Sequence, residues 1–187
     1  MKTSLIVACA LVASLLGPLA NAGEDAQLLE ARKVATMLPP RLLAALQEEI
    51  GRSGPAGAIP VCKDMAPKMA VEISAQTGWK IRRVSLKTRN DARAVPDAWE
   101  RAALEDFDRR AAAGEPPAQL ERGEMVDNEY RYVKALPTQP LCLSCHGPVD
   151  QLAPGVRSVL GQLYPDDLAT GYSVGQIRGA ISVRRSI

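Results

Sequence analysis

The segment CLSCHG, Cys142–Gly147, has two cysteines separated by two residues and a histidine directly after the second cysteine. Each thiol can add across a vinyl group of haem, and two intervening residues place the sulfurs at the separation of the two vinyl groups. The adjacent histidine is then held over one face of the porphyrin, where its imidazole can bind iron. The motif therefore predicts one covalent haem c, attached to Cys142 and Cys145, with His146 as an axial ligand.

Two other kinds of site also use paired cysteines. A redox-active dithiol usually opens a helix after a strand in a βαβ unit, and that context is missing around Cys142. A zinc site needs two further ligands, and Cys62 is the only other cysteine or histidine outside the N-terminal segment. Neither alternative requires a histidine at position 146, so the motif favours haem.

The second axial ligand stays open when the residues are considered alone. The chain has one histidine, which excludes two imidazole ligands from a single chain. A methionine ligand raises the reduction potential of haem, whereas a thiolate favours ferric iron and lowers it. The candidates are Met37, Met65, Met69, Met125, a lysine, water and Cys62.

The N-terminus has the pattern of a signal peptide. Lys2 precedes an apolar run over residues 5–16, and Ala20-Asn21-Ala22 is a small-x-small cleavage site. The run is too short to span a bilayer. Cleavage before Cys9, as in a lipoprotein, would leave almost no hydrophobic region upstream. We therefore expect a signal peptide over residues 1–22, cleaved after Ala22, and a mature domain over residues 23–187 without an integral membrane segment. The mature protein is expected to be periplasmic or otherwise exported, since c-type haem is attached outside the cytoplasm.

Composition narrows the class of protein. Of the 187 residues, 47% are hydrophobic and 24% are charged, as in an ordinary soluble domain. The formal net charge of +2 is too small and too evenly spread to indicate a nucleic-acid partner. The mature chain is long enough for one domain with a hydrophobic core.

Hydrophobic periodicity predicts an α+β fold. Asp97 begins a helix with a capping-box pattern, since Glu100 follows three residues later. Other helices are expected over residues 24–50 with a break at Pro39-Pro40, 58–76 and 155–163, a turn over 51–57, and strands over 79–87, 124–136 and 176–184. The last strand alternates apolar and polar residues, which predicts one buried and one exposed face.

Several stretches, taken in order, resemble the family of c-type haem PAS-like domains. They are AIPVCKDMAP (residues 58–67), GWKIRRVSLKTRN (78–90), PDAWE (96–100), LCLSCHG (141–147) and YPDDLATGYSVGQIRGAISV (164–183). The resemblance implies a PAS-like antiparallel sheet flanked by N-terminal and connecting helices. It also implies that His146 and Cys62 are the two axial iron ligands.

Arginines are candidates for binding the haem propionates, because a guanidinium fits a carboxylate through paired hydrogen bonds. Arg82, Arg83, Arg89 and Arg178 are considered. Arg83 and Arg89 are preferred because they belong to the family-like RVSLKTRN block, although a surface ion pair is the simpler explanation for any single arginine.

The resemblance implies a redox or small-gas sensor, and the alternative is a low-potential periplasmic electron-transfer cytochrome. A haem enzyme is not expected, because the only histidine is already used and a second ligand closes the distal site. The sequence ends soon after its last predicted strand, so a sensor role needs a redox partner or a separate signalling protein.

Overall fold

The computed structural model describes residues 19–187. Residues 1–18, which hold most of the expected signal peptide and also Cys9, lie outside this range. The α-helices are α1 (Leu19–Ala35), α2 (Leu38–Gly57), α3 (Ala66–Thr77), α4 (Asp91–Ala94), α5 (Ala98–Ala112), α6 (Leu143–His146) and α7 (Val156–Leu163). The strands are β1 (Lys80–Val84), β2 (Glu121–Val126), β3 (Glu129–Pro137) and β4 (Ile177–Ser186). None of the described helices is long and apolar enough to cross a bilayer.

The four strands form one antiparallel sheet in the order β1-β4-β3-β2. This arrangement confirms the predicted α+β class with an antiparallel sheet flanked by helices. The single strand predicted over residues 124–136 is wrong, because the chain reverses at Asp127 and Asn128 to form the β2–β3 hairpin. Asp127 has φ 52°, a left-handed conformation that aspartate tolerates in tight turns.

Both faces of β4 are covered, which corrects the half-buried pattern predicted for it. Ile181 and Val183 pack with Trp79 on the face covered by α1 and α3. Ala180 packs with Phe107 of α5 on the opposite face. Because β4 is an inner strand with helices on either side, its alternate residues are small or apolar rather than exposed.

The N-terminal helices follow the predicted pattern with one exception. α1 and α2 are separated at the residues before Pro39-Pro40, as the sequence predicts. The turn predicted over residues 51–57 is wrong in part, because α2 continues to Gly57 with a kink at Gly54, whose φ is 71°. The predicted capping box of α5 is confirmed: the Asp97 carboxylate accepts from the Glu100 backbone N–H, and the Glu100 side chain accepts from the Asp97 N–H.

A β-bulge in β4 decides which way Arg178 faces. Ala135 pairs with Ala180, but Pro137 pairs with Ile177, so β4 has one extra residue between these two pairs. The bulge moves Ile177 to the α5 face and Arg178 to the face of Ile181. Gly179 lies at the bulge with φ 142°, a conformation that favours glycine.

Replacing Gly179 with alanine should destabilise the fold. An added Cβ would lie 2.3 Å from the carbonyl oxygen of Val84 on the neighbouring strand, and the backbone conformation itself disfavours a side chain. We expect the free energy of unfolding to fall by about 2–4 kcal/mol. Urea denaturation measures this loss. The control is Gly161→Ala on α7, where a Cβ meets nothing within 4 Å, and its effect should stay within about 1 kcal/mol of wild type. Equal stability of the two variants would contradict the packing argument.

Candidate haem-binding site

The CLSCHG segment folds into two short helical turns. A 3₁₀ turn over Pro140–Cys142 leads directly into α6, so the chain is helical from Pro140 to His146. The Cys142 backbone N–H donates to the Gln139 carbonyl oxygen over 2.9 Å. The helical path brings Cys142, Cys145 and His146 to the wall of one cavity. All three cysteines in the described part of the chain are free of disulfides.

The opposite wall of this cavity is apolar. Much of it belongs to α2, whose side chains on this wall are buried or half-buried. The α2 residues on the wall are Leu38, Pro39, Leu42, Leu43, Leu46 and Ile50. A flat apolar ligand can be buried between this wall and α6.

Cys62 reaches the same cavity from a different direction. It lies in a one-turn π-helix, Val61–Met65, that immediately precedes α3. Pro67 falls in the first turn of α3, where a missing backbone N–H costs no helical hydrogen bond. The sequence predicts a helical segment here but not its wide π geometry. π-Turns are rare overall, and those that occur are often found at functional sites. Cys62 and His146 thus line one cavity although 84 positions separate them in the sequence, the difference between their residue numbers.

The methionine alternatives are placed elsewhere. Met37 and Met69 pack against the core beside α1, and Met65 and Met125 are exposed on the surface. Within residues 19–187, no methionine lines the cavity that holds His146. Cys62 is therefore the one sulfur ligand, among those considered from the sequence outside the CLSCHG segment, that lines this cavity.

His146 is held as a neutral imidazole in which one ring nitrogen is unprotonated and free to bind a metal. Its Nδ1 lies 2.6 Å from the carbonyl oxygen of Ala169, so Nδ1 carries the proton and donates it. Burial lowers the pKa of His146 well below its ordinary value, and the charges of Arg178 and Arg89 lower it further. Nε2 is therefore the unprotonated nitrogen, and it faces the cavity. In this state it lies 3.3 Å from Nη1 of Arg178 and 3.5 Å from Nη1 of Arg89.

Three arginines meet beside the imidazole. Arg83, Arg89 and Arg178 all line the cavity, although only the first two were preferred from the sequence. The charge of Arg178, together with burial, lowers the pKa of Arg83 to about 9. The Nε atoms of Arg83 and Arg178 are buried and have no hydrogen-bond partner in the described part of the chain. Such a cluster of buried cations indicates a site for an anion.

Arg82, the fourth arginine considered from the sequence, and the aromatic residues Trp79 and Tyr172 make contacts within the protein. Arg82 forms an ion pair with the buried Glu100 of α5. Trp79 is a core residue, packed edge-on against Tyr130 with ring centroids 6.2 Å apart. Tyr172 lies edge-on to the His146 ring at 6.5 Å, and Nζ of Lys87 lies 4.3 Å from the centroid of the Tyr172 ring.

Two site residues were not singled out in the sequence. The carbonyl of Ala169 accepts from His146, and the Asp167 carboxylate pairs with Arg89 over 3.0 Å. Their only sequence signal is membership of the family-like block at residues 164–183. In a sequence, a backbone carbonyl or a single carboxylate in a loop gives no indication of a hydrogen-bond partner that lies 20 or more residues away.

Comparison with known proteins agrees with this geometry. The family model described as Tll0287-like matches residues 18–186, nearly the whole chain. The chain belongs to the Tll0287-like family. No curated protein matches it. Among solved structures, it is similar to the crystal structure of the cyanobacterial heme-protein Tll0287, with 26% sequence identity and a TM-score of 0.61. The match covers 91% of this chain and 96% of that one. Membership of the Tll0287-like family confirms the resemblance to haem-binding PAS-like domains.

The residues of the Tll0287-like cavity fit a haem. Two thiols at C-x-x-C spacing match two vinyl groups, and a neutral imidazole presents an unprotonated nitrogen. The apolar wall suits the macrocycle, and the guanidinium groups of Arg83 and Arg178, whose Nε atoms have no partner among the described residues, suit its two carboxylates. Among the side chains that the structure describes, no group of three or more histidine, cysteine, aspartate or glutamate residues could hold a bare metal ion.

Proposed function

We propose that this chain is an exported monohaem c-type protein that acts as a redox or small-gas sensor. Cys142 and Cys145 attach the haem, and His146 and Cys62 are its axial ligands. Haem supplies an iron that changes oxidation state by one electron and binds small gases when a coordination position opens. The observation that carries the proposal is that one cavity gathers CLSCHG, Cys62 and two arginines, Arg83 and Arg178, whose buried Nε atoms have no hydrogen-bond partner in the described part of the chain.

Each residue has a defined task in this proposal. The thiol S–H of each attaching cysteine adds across a vinyl double bond, with sulfur joining one carbon and hydrogen the other. The Nδ1–H of His146 donates a hydrogen bond to the Ala169 carbonyl oxygen, which fixes the ring and makes Nε2 a better ligand. Arg83 and Arg178 bind the propionates, a contact that removes the electrostatic penalty of burying two cations together.

Cys62 is the ligand that gives the site two states. With haem bound, one-electron reduction by an external donor would disfavour an anionic ligand, and Cys62, once protonated at Sγ, would be a weak ligand. The π-turn that carries Cys62 joins α2 to α3, so its release changes a connection between two helices. A protein partner can read such a change. We propose no catalytic role.

Spectra of the reduced protein with carbon monoxide test the sensor role. The ferric protein should show a six-coordinate, low-spin spectrum with thiolate character. After reduction, carbon monoxide should bind and shift the Soret band, because Cys62 has left. A reduced protein that takes up no carbon monoxide and has a potential well above zero would instead favour an electron-transfer cytochrome. Mass analysis of the exported chain checks cleavage after Ala22.

Replacing Arg83 with glutamine should change stability in opposite directions without and with haem. Without haem, the substitution removes repulsion from Arg178 and should stabilise the chain by on the order of 1 kcal/mol. With haem attached, it removes a charged hydrogen bond and should destabilise the chain by about 2 kcal/mol. Urea denaturation of both forms measures the two changes. Arg82→Gln on the same strand is the control and should destabilise both forms, since Arg82 pairs with Glu100. The same sign for Arg83→Gln in both forms would contradict a propionate contact.

A further inference from the structure

We infer that Arg89 and Asp167 are positioning residues for the axial imidazole: together they hold the carbonyl of Ala169 against Nδ1 of His146. Arg89 therefore serves the histidine, and the propionates are left to Arg83 and Arg178. This inference rests on the proposed function for its effect on the haem iron. Its hydrogen bonds, however, are made within the chain itself.

The hydrogen bonds of Arg89 are made with protein groups around His146. Nε donates to the Asp167 carboxylate over 3.0 Å. Nη2 donates to the carbonyl oxygen of Cys145 over 2.6 Å and to that of Ala169 over 3.3 Å. The side chain is only 12% exposed. Arg89 thus links the residue before the histidine to the carbonyl that receives the histidine's proton.

Asp167 completes the arrangement by binding both Arg89 and the backbone N–H of Ala169. One of its oxygens pairs with Arg89, and the other accepts from the backbone N–H of Ala169 over 2.8 Å. Its side chain is 9% exposed. A buried ion pair with further hydrogen bonds at both ends has a fixed geometry. The peptide groups on both sides of Ala169 are therefore held by this pair.

The segment around Ala169 is also bound directly to the haem motif. The Gly171 N–H donates to the Gly147 carbonyl over 2.8 Å, and the Tyr172 N–H donates to the His146 carbonyl over 2.9 Å. The Leu168 N–H donates to the Thr88 carbonyl, next to Arg89, over 2.8 Å. The loop, α6 and the residue before Arg89 therefore form one hydrogen-bonded unit with the imidazole between them.

The contrast with the other two arginines separates their roles. Arg89 has a carboxylate partner and two carbonyl acceptors, whereas none of the described ion pairs, which leave out the side chains of residues 25 and 91, involves Arg83 or Arg178. The contact of Arg178 is with Nε2 of His146. The Nε atoms of Arg83 and Arg178 are buried without a partner among the described residues. A guanidinium whose hydrogen bonds are already made to protein has less to offer a propionate than one with free donors.

The pair should act on the iron through the imidazole. A carbonyl that accepts the Nδ1 proton raises the basicity of the ligand and sets the ring orientation. Arg89 donates to the same carbonyl oxygen, so it competes with His146 and limits the increase in imidazole basicity. In addition, the positive charge of Arg89 favours the reduced, less positive iron. Asp167 opposes that charge. The two residues should therefore shift the potential in opposite directions when they are neutralised one at a time.

Three variants of the full haem-loaded chain test this inference: Arg89→Gln, Arg89→Lys and Asp167→Asn. The readouts are the midpoint potential, the EPR g values of the ferric form, and the solvent exchange of the Nδ1 proton by NMR. The chain has a single histidine, so its ring signals need no assignment. We expect Arg89→Gln to lower the potential and Asp167→Asn to raise it. Both should broaden the EPR spectrum and speed proton exchange at least about tenfold, the factor that corresponds to a loss of ~1.4 kcal/mol. Arg89→Lys should keep the wild-type midpoint potential, because lysine has the same charge as arginine. It should still speed exchange of the Nδ1 proton, because lysine lacks the planar set of donors that arginine has.

Arg131→Gln is the matched control, because Arg131 is 10% exposed and pairs with Asp97 on the opposite side of the sheet. It should lower stability but leave the EPR spectrum, the potential and the exchange rate as in wild type. Unchanged exchange in all three site variants, or potential shifts of the same sign in Arg89→Gln and Asp167→Asn, would overturn the positioning role. A wild-type chain without covalent haem would overturn the proposed function instead. The exchange of the Nδ1 proton, which is measurable in any folded form, would still decide the role of the pair.

Discussion

The chain with both Cys142 and Cys145 replaced by serine should contain no covalently bound haem. Serine hydroxyls do not form the thioether bonds that the two thiols form, so denaturation should release any haem that the cavity retains. The measurement is a haem stain of the denatured protein after gel electrophoresis, with expression in a host that matures c-type proteins. Wild type should stain strongly at the mass of the chain, and the double variant should not stain.

Cys62→Ser is the matched control for that experiment. It removes a thiol from the wall of the same cavity but leaves the C-x-x-C pair intact, so its denatured chain should stain like wild type. A stained band from the double variant, or a colourless wild type whose paired thiols remain open to alkylation, would refute covalent attachment at this motif.

The native Cys62→Ser protein should keep its haem but lose its sulfur ligand. Serine is a poor iron ligand, so the ferric spectrum should lose its thiolate character and shift toward high spin or toward coordination by water. Without the anionic ligand the reduction potential should rise by roughly 100 mV or more, a part of the ~0.8 V range that axial ligands span. Carbon monoxide should bind the reduced variant at least as readily as wild type. Electronic and EPR spectra with a redox titration measure these changes.

Met65→Ala tests the competing ligand assignment in the same measurements. Met65 ends the π-turn three residues after Cys62, but its side chain is 41% exposed and does not line the cavity. Its loss should leave spectrum and potential unchanged. A Cys62→Ser protein with the wild-type ferric spectrum would eliminate thiolate ligation and, with it, the two-state mechanism proposed for the sensor.

The features that the sequence predicts are those determined by residues close together in the chain. C-x-x-C-H is a contiguous motif, and the capping box of α5 needs only Asp97 and Glu100, three residues apart. β4 is recognisable from its apolar alternation, although burial of both faces depends on the helices that cover it. Family resemblance adds Cys62, which no local pattern marks.

The parts that the sequence does not predict depend on backbone irregularity or long-range packing. The turn at Asp127 contains neither glycine nor proline, so the β2–β3 hairpin reads as one continuous strand. The bulge at Gly179 reverses the facing of Arg178, and period-two counting assigns that side chain to the wrong side of the sheet. Arg89 and Asp167 are 78 residues apart and meet only because the loop after α7 returns to α6.

The π-turn at Val61–Met65 has a consequence for how the family can diverge. A π-turn is an α-helix with one residue too many, and it costs stability unless the displaced side chain is useful. Deleting a single residue there would restore an ordinary α-helix and rotate position 62 by about 100° about the helix axis. The cysteine and the extra residue of the π-turn should therefore be gained or lost together among homologues. A one-residue gap at this point of an alignment should mark family members that have no cysteine at the position of Cys62.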